Sequence, residues 1–256
     1  MKKNIIYELN ALYREPMQVT GYEFGTGEKS VCVVGSMRGN EVQQMFSCSN
    51  LIRRLKELEA RQEITEGKSI LVIPCINSYS MNIGKRFWST DNTDINRMFP
   101  GYHEGETTQR IAAGVFDVIK DYQIGIQFAS NYMSGRFLPH IRMMRTGFED
   151  IETAKKFAFP YVMVRDTRPF DTTTLNYNWQ IWETKAFSIY TTDTDEIDRQ
   201  SAADAVKGIE KMLIAQGILD SKISGGYHYN AQVLSDDSLV SVRCREAGIY
   251  ENRVYV

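Results

Sequence analysis

The sequence has little with which to hold a metal or run nucleophilic chemistry. Its only histidines are His103, His140 and His228. None stands in an HExxH arrangement, so a histidine-rich metal site would have to be assembled over long range. Cys32, Cys48, Cys75 and Cys244 fall singly within apolar patterns and never at CxxC spacing. That argues against a metal or disulfide framework and for small core residues in a reducing compartment. No Ser-His-Asp or Cys-His set presents itself, and Cys75 has no base beside it. No apolar run approaches a membrane span, and the start MKKNIIYELNALYREP reaches Glu8, Asn10 and Arg14 before any apolar core of signal length. The expectation is a cytoplasmic protein with no membrane partner. An excess of basic charge is also missing, since 30 Lys and Arg face 32 Asp and Glu for a formal net charge of -2. With no basic stripe interleaved with aromatics, nucleic acid is a poor partner and a small polar molecule a more natural one.

What is present is a long alternation of strand and helix patterns. Residues 18–24 alternate weakly and end at Gly25 and Gly27, predicting an edge strand. SVCVV (30–34) and SILVIP (69–74) read as buried strands. Between them, apolar positions from Val42 to Leu58 follow helical spacing with Asn40 as a plausible N-cap, and the charged run 53–59 forms a solvated face. A long ordered loop follows the second strand. Then come a helix over 107–122, a strand over 124–128, strands over 140–144, 161–164 and 186–191, and helices over 151–157, 175–183 and 196–216, the last ended by Gly217 at C′. Tyr177, Trp179 and Trp182 read as helix and core aromatics. This pattern predicts an α/β fold, a mixed and mostly parallel sheet with helices on both faces, over residues 1–222. Residues 223–256 show strand-like alternation without helical period and predict a short C-terminal β appendage.

Two stretches stand out, VVGSMRGNEV at 33–42 and NIGKRFWSTDNTDINRMFPG at 82–101. The order strand, GxxxGNE, helix, strand, loop with RFxxxDxxDxNRxFPG resembles the succinylglutamate desuccinylase/aspartoacylase family of the zinc carboxypeptidase superfamily, over residues 35–217. The resemblance implies a zinc-carboxypeptidase-like fold. It also implies a zinc ion held by two histidines and a glutamate, with an open position for water and a second glutamate as general base. The family's HGNE aligns with Arg38-Gly39-Asn40-Glu41, which keeps Glu41 and puts Arg38 where a histidine ligand would be. Its DLHxAS aligns with Gly125-Ile126-Gln127-Phe128-Ala129-Ser130, so Gln127 stands for the second histidine. Its TxE aligns with Ser188-Ile189-Tyr190, so Tyr190 stands for the general base.

These substitutions change the chemistry. Arginine keeps its proton and has no lone pair for a metal. Gln127 offers a neutral amide oxygen, and a tyrosine of ordinary pKa near 10 is a poor base at neutral pH. Arg38 and Glu41 are expected to form a metal-free ion pair in the old cleft. By the same resemblance Arg86 is the oxyanion donor, while Asn96 and Arg97 grip a substrate carboxylate. The bland alternative is that Asp91, Asp94, Asn96 and Arg97 only tie the loop down.

The sequence therefore reads as a pseudoenzyme without a cofactor whose cleft binds a small carboxylate or a peptide end, self-associating or pairing with an intact relative. The alternative is an active zinc-dependent hydrolase that cleaves an amide bond next to a carboxylate, with His103 or His140 as replacement ligands for zinc.

Overall fold

The protein is described by a computed structural model covering residues 1–10, 15–132, 135–220 and 231–240. Its elements in chain order are β1 (Lys2–Leu9), β2 (Met17–Gly25), β3 (Gly27–Ser36), α1 (Val42–Ala60), β4 (Gly67–Cys75), α2 (Ser78–Asn82), α3 (Thr107–Ile119), β5 (Ile124–Ala129), β6 (His140–Arg145), α4 (Ile151–Lys155), β7 (Tyr161–Asp166), α5 (Leu175–Ile181), β8 (Lys185–Tyr190), α6 (Arg199–Ala215) and β9 (Gln232–Ser235). A short 3-10 turn, Ile95–Arg97, interrupts the long loop after α2.

Among the described residues the strands form one sheet in the order β1-β2-β4-β3-β5-β8-β6-β7-β9. The pairs β1/β2, β2/β4 and β6/β8 are antiparallel. The other five pairs are parallel, as expected of a mixed, mostly parallel sheet.

Central strands covered on both faces must be apolar on both, and in β3 Val31, Cys32, Val33 and Val34 are all fully buried. One face packs on α1 through Cys48, Leu51, Leu55 and Leu58 and on α6 through Ala205, Ile209 and Met212. The other packs on α3 through Ile111, Val115, Phe116 and Ile119 and on α5 through Leu175 and Trp179. Trp179 meets the demand for a buried indole partner by donating to Ile119 O at 3.1 Å. Helices on both faces follow from these two apolar stripes.

Three local expectations change. Residues 18–24 are not the edge strand, because β1 pairs outside β2. Strict alternation in β1 is broken by a register shift between Ile5 and Tyr7, which hides its period in the sequence. The residue capping α1 is Glu41 rather than Asn40, and Asn40 Nδ2 instead donates to Asp195 Oδ1 at 2.6 Å. Of the expected C-terminal β appendage, residues 223–230 and 241–256 lie outside the described residues. The described part places β9 in the main sheet, parallel to β7, and Asp166 N donates to Asp236 Oδ2 at 2.7 Å just beyond it.

The turn after β3 is locked to the long loop by Gly39. Its N–H donates to Arg86 O at 2.9 Å, and a Cβ there would lie 2.1 Å from Lys85 O and 2.5 Å from the Ser80 carbonyl carbon. Backbone approaching backbone this closely admits only glycine. Gly39→Ala is expected to lower stability by about 1–3 kcal/mol, the range for overpacking, read as a lower midpoint in urea unfolding.

Candidate functional site

Ligands in open α/β sheets collect beyond the carboxyl ends of the parallel strands. Here the turn after β3, the end of β5, the end of β8 and the long loop converge on one cavity of about 270 Å³. Its wall includes Arg38, Asn96, Arg97, Gln127, Arg142 and Tyr190. Glu41 is only 1 % exposed and lies behind Arg38. Arg86 is not part of the wall. Its Nη1 donates to Tyr132 O at 3.0 Å, and its Nε is buried with no hydrogen-bond partner among the described residues.

Arg38 is the centre of the site. Its guanidinium, 5 % exposed, donates through Nη1 to Glu41 Oε1 at 3.0 Å and through Nη2 and Nε to Asp94 Oδ2 at 2.8 and 3.2 Å. Glu41 Oε2 accepts from the Met37 and Arg38 amides at 2.8 and 3.0 Å, and Oε1 also accepts from Ser130 Oγ. Asp94 serves two ends, since its Oδ1 caps the 3-10 turn by accepting from Asn96 N at 3.1 Å. Desolvation pulls the Arg38 pKa down, but the charges and hydrogen bonds of Glu41 and Asp94 outweigh it and the net direction is up. The cation is therefore permanent.

The residues at the expected metal positions do not fit zinc. Arg38 has only donors, and its cation occupies the Glu41 carboxylate that would have to face a dication. Gln127 Nε2 donates to Asn96 Oδ1 at 3.2 Å. Among the described residues no group of three or more His, Cys, Asp or Glu side chains could hold a metal ion. Of the two described histidines, one lies on the surface and the other lies against Tyr190 of the cavity wall. His103 pairs on the surface with Asp117 at 2.8 Å. The His140 ring stacks on Tyr190 at 4.6 Å between centroids and 6° between planes, with Nδ1 2.8 Å from Leu138 O. Burial, with the nearby charge of Glu41, pushes the Cys75 thiol up to about 12, which removes it as a thiolate nucleophile.

Asn96 and Arg97, the pair expected to grip a carboxylate, line the cavity but are partly committed. Asn96 Oδ1 accepts from Gln127 and, at 3.4 Å, from Leu175 N. Arg97 Nη1 donates to Phe170 O at 2.5 Å and lies 3.4 Å from Asp171 Oδ1, while Nη2 donates to the Tyr132 hydroxyl. Asp91 and Asp94 do tie the loop down, Asp91 by accepting from Thr93 N at 2.8 Å.

Tyr132 was invisible in the sequence. Arg38 and Arg86 lie 5.6 and 5.1 Å from its ring centroid, a cation–π arrangement that joins both stretches to the loop after β5. Arg142 was missed as well. The one available signal was strand alternation in HIRMMR, which sends Arg142 to the face opposite Ile141 and Met143.

A mixed sheet with helices on both faces and a cleft beyond the ends of β3, β5 and β8 defines the zinc-carboxypeptidase-like class of α/β protein. Residues 27–215 match the model of the succinylglutamate desuccinylase/aspartoacylase catalytic domain. The chain belongs to this family of deacylases and aspartoacylase-like hydrolases, which is in general zinc-dependent. It is 24 % identical over 221 residues to the N-alpha-acetyl-L-2,4-diaminobutyric acid deacetylase of Halomonas elongata, covering 80 % of this chain and 59 % of that protein. The fold is shared with the succinylglutamate desuccinylase/aspartoacylase of Rhodobacter sphaeroides at 18 % identity and TM-score 0.73, over 91 % of this chain and 72 % of that one. It is shared also with the product-bound ectoine utilization protein EutE (DoeB) of Ruegeria pomeroyi at 17 % identity and TM-score 0.74, over 91 % and 71 %. No helix among the described residues is long and apolar enough to cross a membrane.

Removing the Arg38 charge leaves two carboxylates facing each other with their shared cation gone. Arg38→Met is expected to cost about 3–5 kcal/mol, the range for a broken buried ion pair, measured by urea unfolding. Adding Asp94→Asn and Glu41→Gln should recover part of that loss.

His140 generates a pH dependence. Its pKa is held below the ordinary 6.5, chiefly by burial, with Arg142 and Arg165 adding to the lowering and the Leu138 carbonyl opposing it. Its contribution to stability is therefore fully present above about 6.5 and is lost as pH falls through the lower folded value. In thermal melts from pH 7 to 5, His140→Phe should show a shallower fall in Tm than the wild type.

Proposed function

We propose that this chain is a catalytically degenerate member of its family, a pseudoenzyme that keeps a cleft for a small carboxylate-bearing molecule or peptide end and has exchanged its metal for a guanidinium. The observation that carries this reading is Arg38, buried and hydrogen-bonded at once to Glu41 and Asp94. A cation supplied by the chain fills the electrostatic role of a zinc ion there, without an open coordination position and without the ability to acidify water. Asn96 and Arg97 then serve as carboxylate contacts from the long loop, and Arg86 fixes the loop through Tyr132. Tyr190, as a phenol, donates or accepts a hydrogen bond rather than deprotonating water. The protein would act in the cytoplasm as a sensor, a sink, or a subunit beside a catalytically intact relative.

A second reading, a working amide hydrolase, has support in the deacetylase named for Halomonas elongata. It requires zinc bound by Glu41 with His103 or His140, and the Glu41 carboxylate is already taken by the Arg38 guanidinium. Metal analysis of protein purified without chelator separates the two. Well under one zinc per chain is expected, with no hydrolysis of N-acyl amino acids. Stoichiometric zinc whose removal abolishes hydrolysis would sink the degenerate reading. Thermal-shift measurement with dicarboxylates, N-acyl amino acids and short peptides should show stabilisation that is lost in Arg97→Ala. The triple variant Arg38→His, Gln127→His, Tyr190→Glu is expected to gain one zinc per chain.

A further inference from the structure

Among the described residues Arg142 is a partly buried cation of the cavity wall with no carboxylate in ion-pair contact. Of the other arginines in the wall, Arg38 meets Glu41 and Asp94, Arg97 meets Asp171, and Arg165 meets Asp236. Arg168 has no ion pair among the described residues, but it is exposed to water. Arg142 is partly buried on β6. Among the described residues its one hydrogen bond runs from Nη1 to Tyr190 Oη at 3.1 Å, and its guanidinium carbon lies 5.7 Å from the Tyr190 ring centroid. Asp171 and Asp236 act on it only through space. A guanidinium has five N–H donors, so a single phenol oxygen leaves most of them without a protein acceptor.

The hydrogen-bond direction at Tyr190 adds to this. Its oxygen accepts from Arg142, so its own O–H remains to donate. Asn176 lines the same cavity, is 2 % exposed, and has no partner among the described residues for either its amide nitrogen or its amide oxygen. Buried amides are normally satisfied, and one left open at both ends marks a place that a ligand or water completes. Tyr190 stands where the family alignment places the general base. A glutamate there would pair with Arg142 and cancel its charge, whereas a phenol leaves the charge available.

We propose that Arg142, Tyr190 and Asn176 form an anion-receiving subsite, in which the oxyanion of a small molecule accepts from the Arg142 guanidinium and the Tyr190 hydroxyl while Asn176 pairs with an adjacent amide of the same molecule. This rests on the reading of the cavity as a carboxylate site and adds a second recognition point to the one at Asn96 and Arg97. It assigns the loss of the general base a positive role, since the same position is turned from a proton acceptor into part of an anion receptor.

Calorimetric titration of the full chain with succinate, N-acetyl-L-glutamate and inorganic phosphate tests this. Arg142→Gln and Tyr190→Glu should each weaken binding of both carboxylates at least tenfold, the second by creating an internal ion pair. Arg142→Lys should stay closer to wild type than Arg142→Gln, and thermal melts would confirm that each variant is folded. Asn176→Ala should weaken N-acetyl-L-glutamate severalfold and leave succinate, which has no amide, unchanged. Wild-type affinity in folded Arg142→Gln and Tyr190→Glu, with binding lost in Arg97→Ala, overturns the subsite and leaves the loop reading standing. If wild type binds none of the probes, both readings fall. Binding of phosphate alone, lost in Arg142→Gln, supports the subsite and overturns a carboxylate as its ligand.

Discussion

The arrangement of this cleft depends on one buried guanidinium shared by two carboxylates. Arg38 and Glu41 come from the turn after β3, while Asp94 comes from a loop more than fifty residues further along. Each partner is tied down independently, Glu41 by two backbone amides and Ser130, and Asp94 by the turn it caps. A buried ion pair recovers its desolvation cost only when such additional hydrogen bonds satisfy the remaining lone pairs. Here they do. The clamp fixes the loop that carries Asn96 and Arg97, and Gly39 against Arg86 fixes the same loop a second time through backbone. The cavity wall inherits its shape from both.

Much of this was legible in the residues. β3 and β4 are apolar runs bounded by glycine and by the start of a loop, and the helical stripes of α1, α3 and α6 are regular enough to be read directly. Arg38 and Glu41 are three positions apart in a tight turn, so their pairing follows from local geometry. The partnership with Asp94 does not, because no local rule connects positions 38 and 94. The loop motif marked Asp94 without saying whose charge it meets. Asp94 turns out to have both a structural role, in capping the turn, and an electrostatic one.

Other features lay beyond any pattern. Tyr132 collects three arginines from two stretches, yet nothing in its neighbourhood distinguishes it from a surface tyrosine. Arg142 sits in a six-residue strand whose apolar face is obvious and whose other face gains meaning only once β8 is laid antiparallel beside it. β1 was obscured by its bulge. In each case the missing information was the identity of a neighbour distant in sequence, which alternation and spacing do not encode.

The placement of Arg38 also decides how the cleft answers to its surroundings. A bound metal is a second component whose occupancy varies with supply, with competing chelators and with the acidity that protonates its ligands. A guanidinium made with the chain is present once in every molecule from the moment of synthesis and stays charged throughout the physiological range. The charge that Arg38 contributes to this cleft is therefore inherited through translation, and every folded copy carries it.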